Sequence, residues 1–341
     1  MFGNVADSTR TDIDKHCRCF QINILGIYPS STKRTKSTND TLFMKALIFG
    51  ITGQDGHYLR DLLLSEGHTV FGAARSGGDV RMDVSDRDAV RAVVREFQPD
   101  YVFHFAATSS TAHEHLWANH SAIATGTLSI LDAVERETPD ARVLVAGSGL
   151  QFVNHGQPLD EDSPIDHSSP SPYVIARNYS LSAVRYYRSR GIKAYFAFLF
   201  HHDSPLRDRS HLSMKIVESA VQAKLGARGK LLIGDPDAEK EFAYAGDIVT
   251  AMWKLIQQEL MFECVVGSGV PYKVSEWLDA CFRMEGLDWR DHVEINHSYK
   301  NPCRRLLSNP ARIKELGWLP NCGFSELAGM MISTLKHQNA A

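Results

Sequence analysis

The chain has 341 residues, room for about two domains and a sizeable core. Its apolar fraction of 43% and charged fraction of 23% are those of a folded globular protein, which excludes whole-chain disorder and a collagen-like or coiled-coil identity. Lys and Arg number 37 against 40 Asp and Glu, so composition carries no electrostatic footprint of a nucleic-acid binder. No apolar run reaches the roughly 18 residues that read as a membrane span. The six cysteines are scattered and form no CxxC motif. A reducing, cytoplasmic compartment is expected, with neither nucleic acid nor membrane as partner.

Residues 1–43 are polar and aperiodic and carry no signal-peptide pattern. Their Asp7, Asp12 and Asp14 argue against a transit peptide. They read as a disordered leader or as an upstream, mis-assigned start, because Met44 directly precedes a clean strand.

From Met44 onward short apolar runs alternate with amphipathic helices. Strands are expected at 46–50, 69–74, 80–82, 101–106, 142–147 and 193–200. Helices are expected between them at 57–66, 85–97, 121–137 and 172–189, with Ser85 capping the second and Gly67 ending the first. Near-continuous apolar strands separated by helices imply a parallel sheet covered on both faces, an α/β doubly wound fold. After His201 the alternation loosens. Helices fit 212–226, 247–258, 275–284, 310–316 and 326–337, and a short strand fits 230–233. Asn309 is expected to cap the helix at 310–316, with Pro310 at its first position and Gly317 past its end. The division expected is a cofactor-binding domain over 44–200 and a smaller α/β substrate lobe over 201–341, partly interwoven.

The first strand runs into Gly50-Ile-Thr-Gly53-Gln-Asp-Gly56 and then opens a helix. Glycines at this spacing permit a tight turn and close approach of backbone to a pyrophosphate. The helix N-terminus adds free N–H groups and a positive dipole end. The second strand ends in Ala73-Ala74-Arg75-Ser76, where an acidic residue would suit NAD and an Arg suits a 2′-phosphate. NADP is therefore favoured over NAD, a solvated surface Arg75 being the plain alternative. Asp83, ending the third strand, either meets the adenine amino group or is an exposed loop acid.

The run GITGQDGHYLRDLLLSEGHTVFG resembles the opening of the GDP-mannose 4,6-dehydratases, within the extended short-chain dehydrogenase/reductase superfamily. PDYVFHFAATSS, SPYVIARNYS, LFHHDSPLR, LIGDPDAEKEFAYAGDIVTAMW and LSNPARIKELGWLP extend the likeness over nearly all of 45–335. The resemblance implies a Rossmann-like fold, a nucleotide-sugar substrate such as GDP-mannose, and hydride transfer at sugar carbon 4. It implies a cofactor set of Gly50, Thr52, Gly53, Gln54, Asp55, Gly56, Arg75, Asp83, Val84, Phe105, Ala106, Ala107, Tyr173, Arg177, His202 and Arg207. Tyr173 matches the catalytic base and Ser148 the hydroxyl that polarises the same substrate oxygen. Arg177 stands where the family has the Lys that lowers the tyrosine pKa. The substrate side is implied at His201, which replaces an Asn, and at Lys215, Lys240 and Arg304.

This sequence departs from the family pattern at several places. Leu150 occupies the position of the Glu that moves protons at carbons 5 and 6, and neither Leu150 nor Gln151 can act as a base. Glu161 and Asp162 are read as surface acids rather than substitutes. Met214, Lys240-Glu241-Phe242 and Asn301-Pro302-Cys303-Arg304 change donors that a diphosphate needs. His201 with His202, and the cluster His113, His115 and His120, are not read as metal ligands. The loop after Arg75 is shorter than in the family, so a homodimer is expected rather than a tetramer. The function expected is that of an NADP-dependent sugar-nucleotide-modifying enzyme resembling this family, the alternatives being a related reductase or epimerase without dehydration and a non-catalytic binder of NADP(H) or nucleotide sugar.

Overall fold

The computed structural model describes residues 43–108, 113–299, 301 and 303–340. The leader expected over 1–43 therefore lies, but for Phe43, outside the described residues.

Seven parallel strands form the central sheet: β1 (Lys45–Phe49), β2 (Thr69–Ala74), β3 (Val80–Arg81), β4 (Tyr101–His104), β5 (Arg142–Ala146), β6 (Lys193–Leu199) and β7 (Glu263–Val266). Their spatial order is β3-β2-β1-β4-β5-β6-β7, so the chain reverses direction across the sheet between β1 and β4. In such sheets ligands sit beyond the strand C-termini at that switch point. The strands are buried on both faces, as four of the five residues in KALIF illustrate. Helices α1 (Gln54–Ser65), α2 (Arg87–Phe97), α3 (Gly126–Glu137), α4 (Pro172–Ser189), α5 (Leu212–Lys224), α6 (Ala245–Gln257), α7 (Val274–Met284) and α8 (Phe324–Ala340) complete the main elements. On one face α1 packs against α6; on the other α2, α3 and α4 pack in a row.

Trp253 of α6 anchors the first face. Its ring meets Tyr101 edge-on at 4.8 Å, and its Nε1–H donates to Glu66 at 2.8 Å. Ala243, Cys264, Val266, Ile313 and Trp318 join this same core, so segments far along the chain return to the first half. A second core is built by α5, α7 and α8 around Trp277, Phe282 and Leu327, with Phe242 stacked on Trp277 at 4.7 Å.

Several local expectations are corrected. Asp86, not Ser85, caps α2: its carboxylate accepts from the backbone N–H groups of Asp88 and Ala89, while the Ser85 hydroxyl donates to Asp83. Pro310, rather than Asn309, holds the cap position of the short helix Ala311–Glu315, and Asn309 Nδ2 reaches Asp160 at 3.5 Å instead. The helix expected at 121–137 is continuous but not uniform, because its first turns, His120–Thr125, are π-helical. Strand β7 is absent from the expected set, its four residues being too few to show a pattern. Gly67 does end α1, at φ +83°.

Candidate functional site

The glycine turn fits its strand and helix through contacts that only glycine permits. Gly50 sits at φ +91°, and a Cβ there would lie 2.6 Å from the Ala106 nitrogen. A Cβ on Gly56 would lie 2.4 Å from the Gly50 carbonyl oxygen, so Gly56 serves the packing of α1 on the turn. Gly53 caps α1 without any side-chain acceptor, which leaves its first N–H groups for a ligand. Beside the turn lies a cleft of about 430 Å³, lined by Gly50, Thr52, Gly53, Arg75, Asp83, Val84, Phe105, Ala106 and Ala107. The Asp83 carboxyl is held below its usual range, first by the Ser85 N–H and then by the Ser85 hydroxyl, which donate at 2.9 and 2.7 Å.

Phe105 also lines a second cleft of about 450 Å³, which brings together Ser148, Tyr173, Arg177, His201, His202, Arg207 and Lys240. Tyr173 is the second residue of α4, and Arg177 is one turn on. The guanidinium carbon of Arg177 stands 5.1 Å from the Tyr173 ring centroid. Arg177 is buried. Its Nη1 donates to the Ala146 carbonyl at the end of β5, and its Nε has no hydrogen-bond partner among the described residues. Ser148 caps a short turn: its Oγ accepts from the Leu150 N–H at 3.2 Å, and its hydroxyl proton remains to donate. Gln151 is committed to structure, accepting from Ser148 N and donating to Asn178. Leu150 projects at the border of this cleft and a neighbouring hollow.

Asp55 is the one carboxylate among the described residues lining the second cleft, and it is tied to His202 Nε2 at 2.9 Å. Burial opposes its ionisation, but the His202 charge and hydrogen bond prevail and hold it below its usual range. His202 is raised for the reciprocal reason, the Asp55 carboxylate outweighing burial. Gln54 lies behind them, accepting from Ser204 Oγ at 2.8 Å. His201 donates from Nδ1 to the Glu241 carbonyl at 2.6 Å. Burial pushes its pKa down to about 4, despite Asp203 at 3.4 Å.

Two substrate-side expectations fall elsewhere. Lys215 is exposed on α5, outside the lining of either cleft. Arg304 borders the neighbouring hollow and faces Asp235 at 3.6 Å. Glu161 is not a surface acid. Its side chain is 4% exposed, accepts from Val265 N at 2.7 Å and pairs with Arg312, which pins β7. Asp162 is exposed and pairs with the same Arg312.

Residue-by-residue reading missed Asp203, His211 and Tyr299. Asp203 is fully buried and gathers Ser213 Oγ at 2.7 Å, Arg207 Nε at 3.2 Å and His201. His211 lines the cleft and contacts Arg207 at 3.0 Å. The spacing Asp203, Arg207, His211 at intervals of four was the available signal.

The strand order, the glycine turn at the switch point and the Tyr-x-x-x-Arg helix opposite it define a Rossmann-like protein of the extended short-chain dehydrogenase/reductase type. The family model described as GDP-mannose 4,6 dehydratase matches residues 47–331, and the chain belongs to that family. Among relatives, the GDP-mannose 4,6 dehydratase 1 of Arabidopsis thaliana is 33% identical over 321 residues, covering 84% of this chain and 88% of the relative. Among solved structures, a UDP-glucose 4-epimerase of Thermus thermophilus complexed with NAD superposes with a TM-score of 0.75 at 23% identity, over 86% of this chain and 99% of that one. The RMD of Pseudomonas aeruginosa complexed with NADPH gives 0.76 at 20% identity, over 87% and 99%.

Proposed function

We propose that this protein is an NADP-linked oxidoreductase acting at carbon 4 of a nucleotide-bound hexose, with Tyr173 as the base. The observation that carries the reading is the convergence of Tyr173, Ser148 and Arg177 on one cleft that shares Phe105 with the glycine-turn cleft. A bound nicotinamide dinucleotide supplies the hydride acceptor. The turn at Gly50–Gly56 would hold its pyrophosphate, and the buried Nε–H of Arg177, without a hydrogen-bond partner among the described residues, would be left to serve it. Tyr173 takes the proton of the 4-hydroxyl, and the Ser148 hydroxyl donates to the same oxygen. Arg177 is a cation held beside the Tyr173 ring, 5.1 Å from its centroid. His201, Lys240 and the lobe after residue 201 hold the nucleotide sugar, whose anionic diphosphate matches the Lys240 charge.

Leu150 marks the limit of the chemistry. Removal of the carbon 5 proton needs a base, and Asp55 is already engaged by His202. The reading is therefore oxidation and reduction at carbon 4, as in a reductase or epimerase, with water loss from GDP-mannose slow or absent. The proposed assembly is a homodimer in a reducing cytoplasm. Ile175, Tyr179 and Tyr186 leave an apolar stripe exposed along one face of α4, which suits a second copy. The test is incubation with NADP or NADPH and a panel of nucleotide sugars, with products followed by mass spectrometry. Turnover that disappears in Tyr173→Phe supports the proposal; water loss from GDP-mannose at an ordinary enzymatic rate overturns the role given to Leu150. No turnover with any sugar, together with intact NADPH binding, would instead favour a non-catalytic binder.

A further inference from the structure

We infer that Arg81 is a second ligand of the cofactor 2′-phosphate and forms a clamp with Arg75; this rests on the NADP reading above. The turn between β2 and β3 is short and closed. Gly72 and Asp79 exchange two bonds across it: Asp79 N–H donates to the Gly72 carbonyl at 2.8 Å, and the Asp79 carboxylate accepts from Gly72 N at 2.7 Å. Gly77 and Gly78, at φ +72° and +81°, let the chain turn in so few residues. The one acid of the turn is thereby engaged by the Gly72 backbone. Arg75 is left at the lip of the dinucleotide cleft.

Arg81 pairs with Ala74 across the strands, and its Nε–H donates to the Arg75 carbonyl at 3.0 Å. That bond carries the Arg81 guanidinium past the end of β2 to the backbone of the residue that the sequence assigns to the phosphate. A guanidinium held by Nε keeps four N–H groups on its two terminal nitrogens. Among the described residues neither Arg75 nor Arg81 is in an ion pair, and Asp83, which feels the Arg75 charge, is bound to Ser85 instead. Arg75 lines the cleft, and Arg81 is bonded to its backbone; two guanidinium forks so joined match the charge of a phosphate monoester, and a ribose without that group gives them nothing to bind.

The experiment is calorimetric titration of the full chain with NADPH, NADH and 2′,5′-ADP. The wild type is expected to prefer NADPH. Arg81→Ala is expected to weaken NADPH and 2′,5′-ADP about ten-fold, the size of one charge-assisted hydrogen bond, and to leave NADH unchanged. Arg75→Ala should act in the same direction, and Arg81→Lys should restore part of the loss. Equal weakening of NADPH and NADH in Arg81→Ala would make Arg81 a brace for the turn and overturn the inference. So would an unchanged NADPH-to-NADH ratio in Arg81→Ala while Arg75→Ala abolishes the preference. A wild type without any preference overturns the NADP reading itself, a distinct result.

Discussion

The two ends of the site differ in what holds them. At the glycine-turn end the constraints are steric and belong to the backbone: Gly50 cannot carry a side chain beside Ala106, nor Gly56 beside the Gly50 carbonyl. At the Tyr173 end the constraints belong to side chains, and Leu150, Arg177, His201 and Lys240, which the sequence resemblance reads as departures, line one cleft. A fold can thus fix where a dinucleotide would lie while leaving the chemistry above it open to change. Backbone complementarity involves several elements at once, whereas each reactive side chain can be exchanged singly.

The most severe way to break this comparison is Tyr173→Phe. Removing the proposed base should lower turnover by about 10²–10⁴-fold, with dinucleotide affinity, measured by calorimetry, little changed. The comparison is sharpened by Leu150→Glu combined with Arg177→Lys. If the substrate end differs only in its proton-moving groups, water loss from GDP-mannose should rise about 10²-fold, read by mass spectrometry of the sugar product. Gly50→Ala probes the opposite end. The strained φ and the 2.6 Å approach to Ala106 should cost about 2 kcal/mol of stability by denaturant unfolding, and the dinucleotide should bind more weakly.

The smallest effect is expected at the joint between the two ends, where Asp55 of α1 meets His202. His202 is raised above its unfolded value, so its share of the stabilisation is full below about pH 6.5 and is lost as pH rises through its native pKa. Asp55 is lowered, so its share is present above about pH 4 and is lost as pH falls through its native pKa. His202→Gln should therefore lower the melting temperature most between about pH 4 and 6.5, by the equivalent of roughly 1 kcal/mol, with a smaller gap at pH 9. A gap that widened with rising pH would mean that His202 is neutral in the native protein.

Most of the sheet was legible because its strands are buried on both faces and so appear as unbroken apolar runs bounded by Gly, Asp and Ser. Helix α4 was legible to the residue, since Ser171 and Pro172 mark its start. Strand β7 was hidden: ECVV is too short to show a period, and its place depends on Glu161, about a hundred residues earlier in the chain, binding Val265 N. The choice of Asp86 over Ser85 as a cap depends on Asp83 having engaged the serine first, a competition among neighbouring polar groups that spacing cannot rank. Ser148, Tyr173 and Arg177, each read from a motif around it, meet in one cleft. His104 lies outside the lining of both clefts and no sequence signal marks it: it ends β4 fully buried, driven to a pKa of about 3 by burial first and then by the nearby Arg177 charge.

The π-helical turns at His120–Thr125 set the phase between two jobs done by one continuous rod. Upstream of them Trp117 and Ala118 line the glycine-turn cleft; downstream α3 packs against α2. One surplus residue wound into the rod rotates everything before it by about 100° relative to everything after. Excising a single residue from that stretch would leave a smoother cylinder with its N-terminal portion facing the wrong way, so a local gain in regularity would come with a wall of the cleft turned aside.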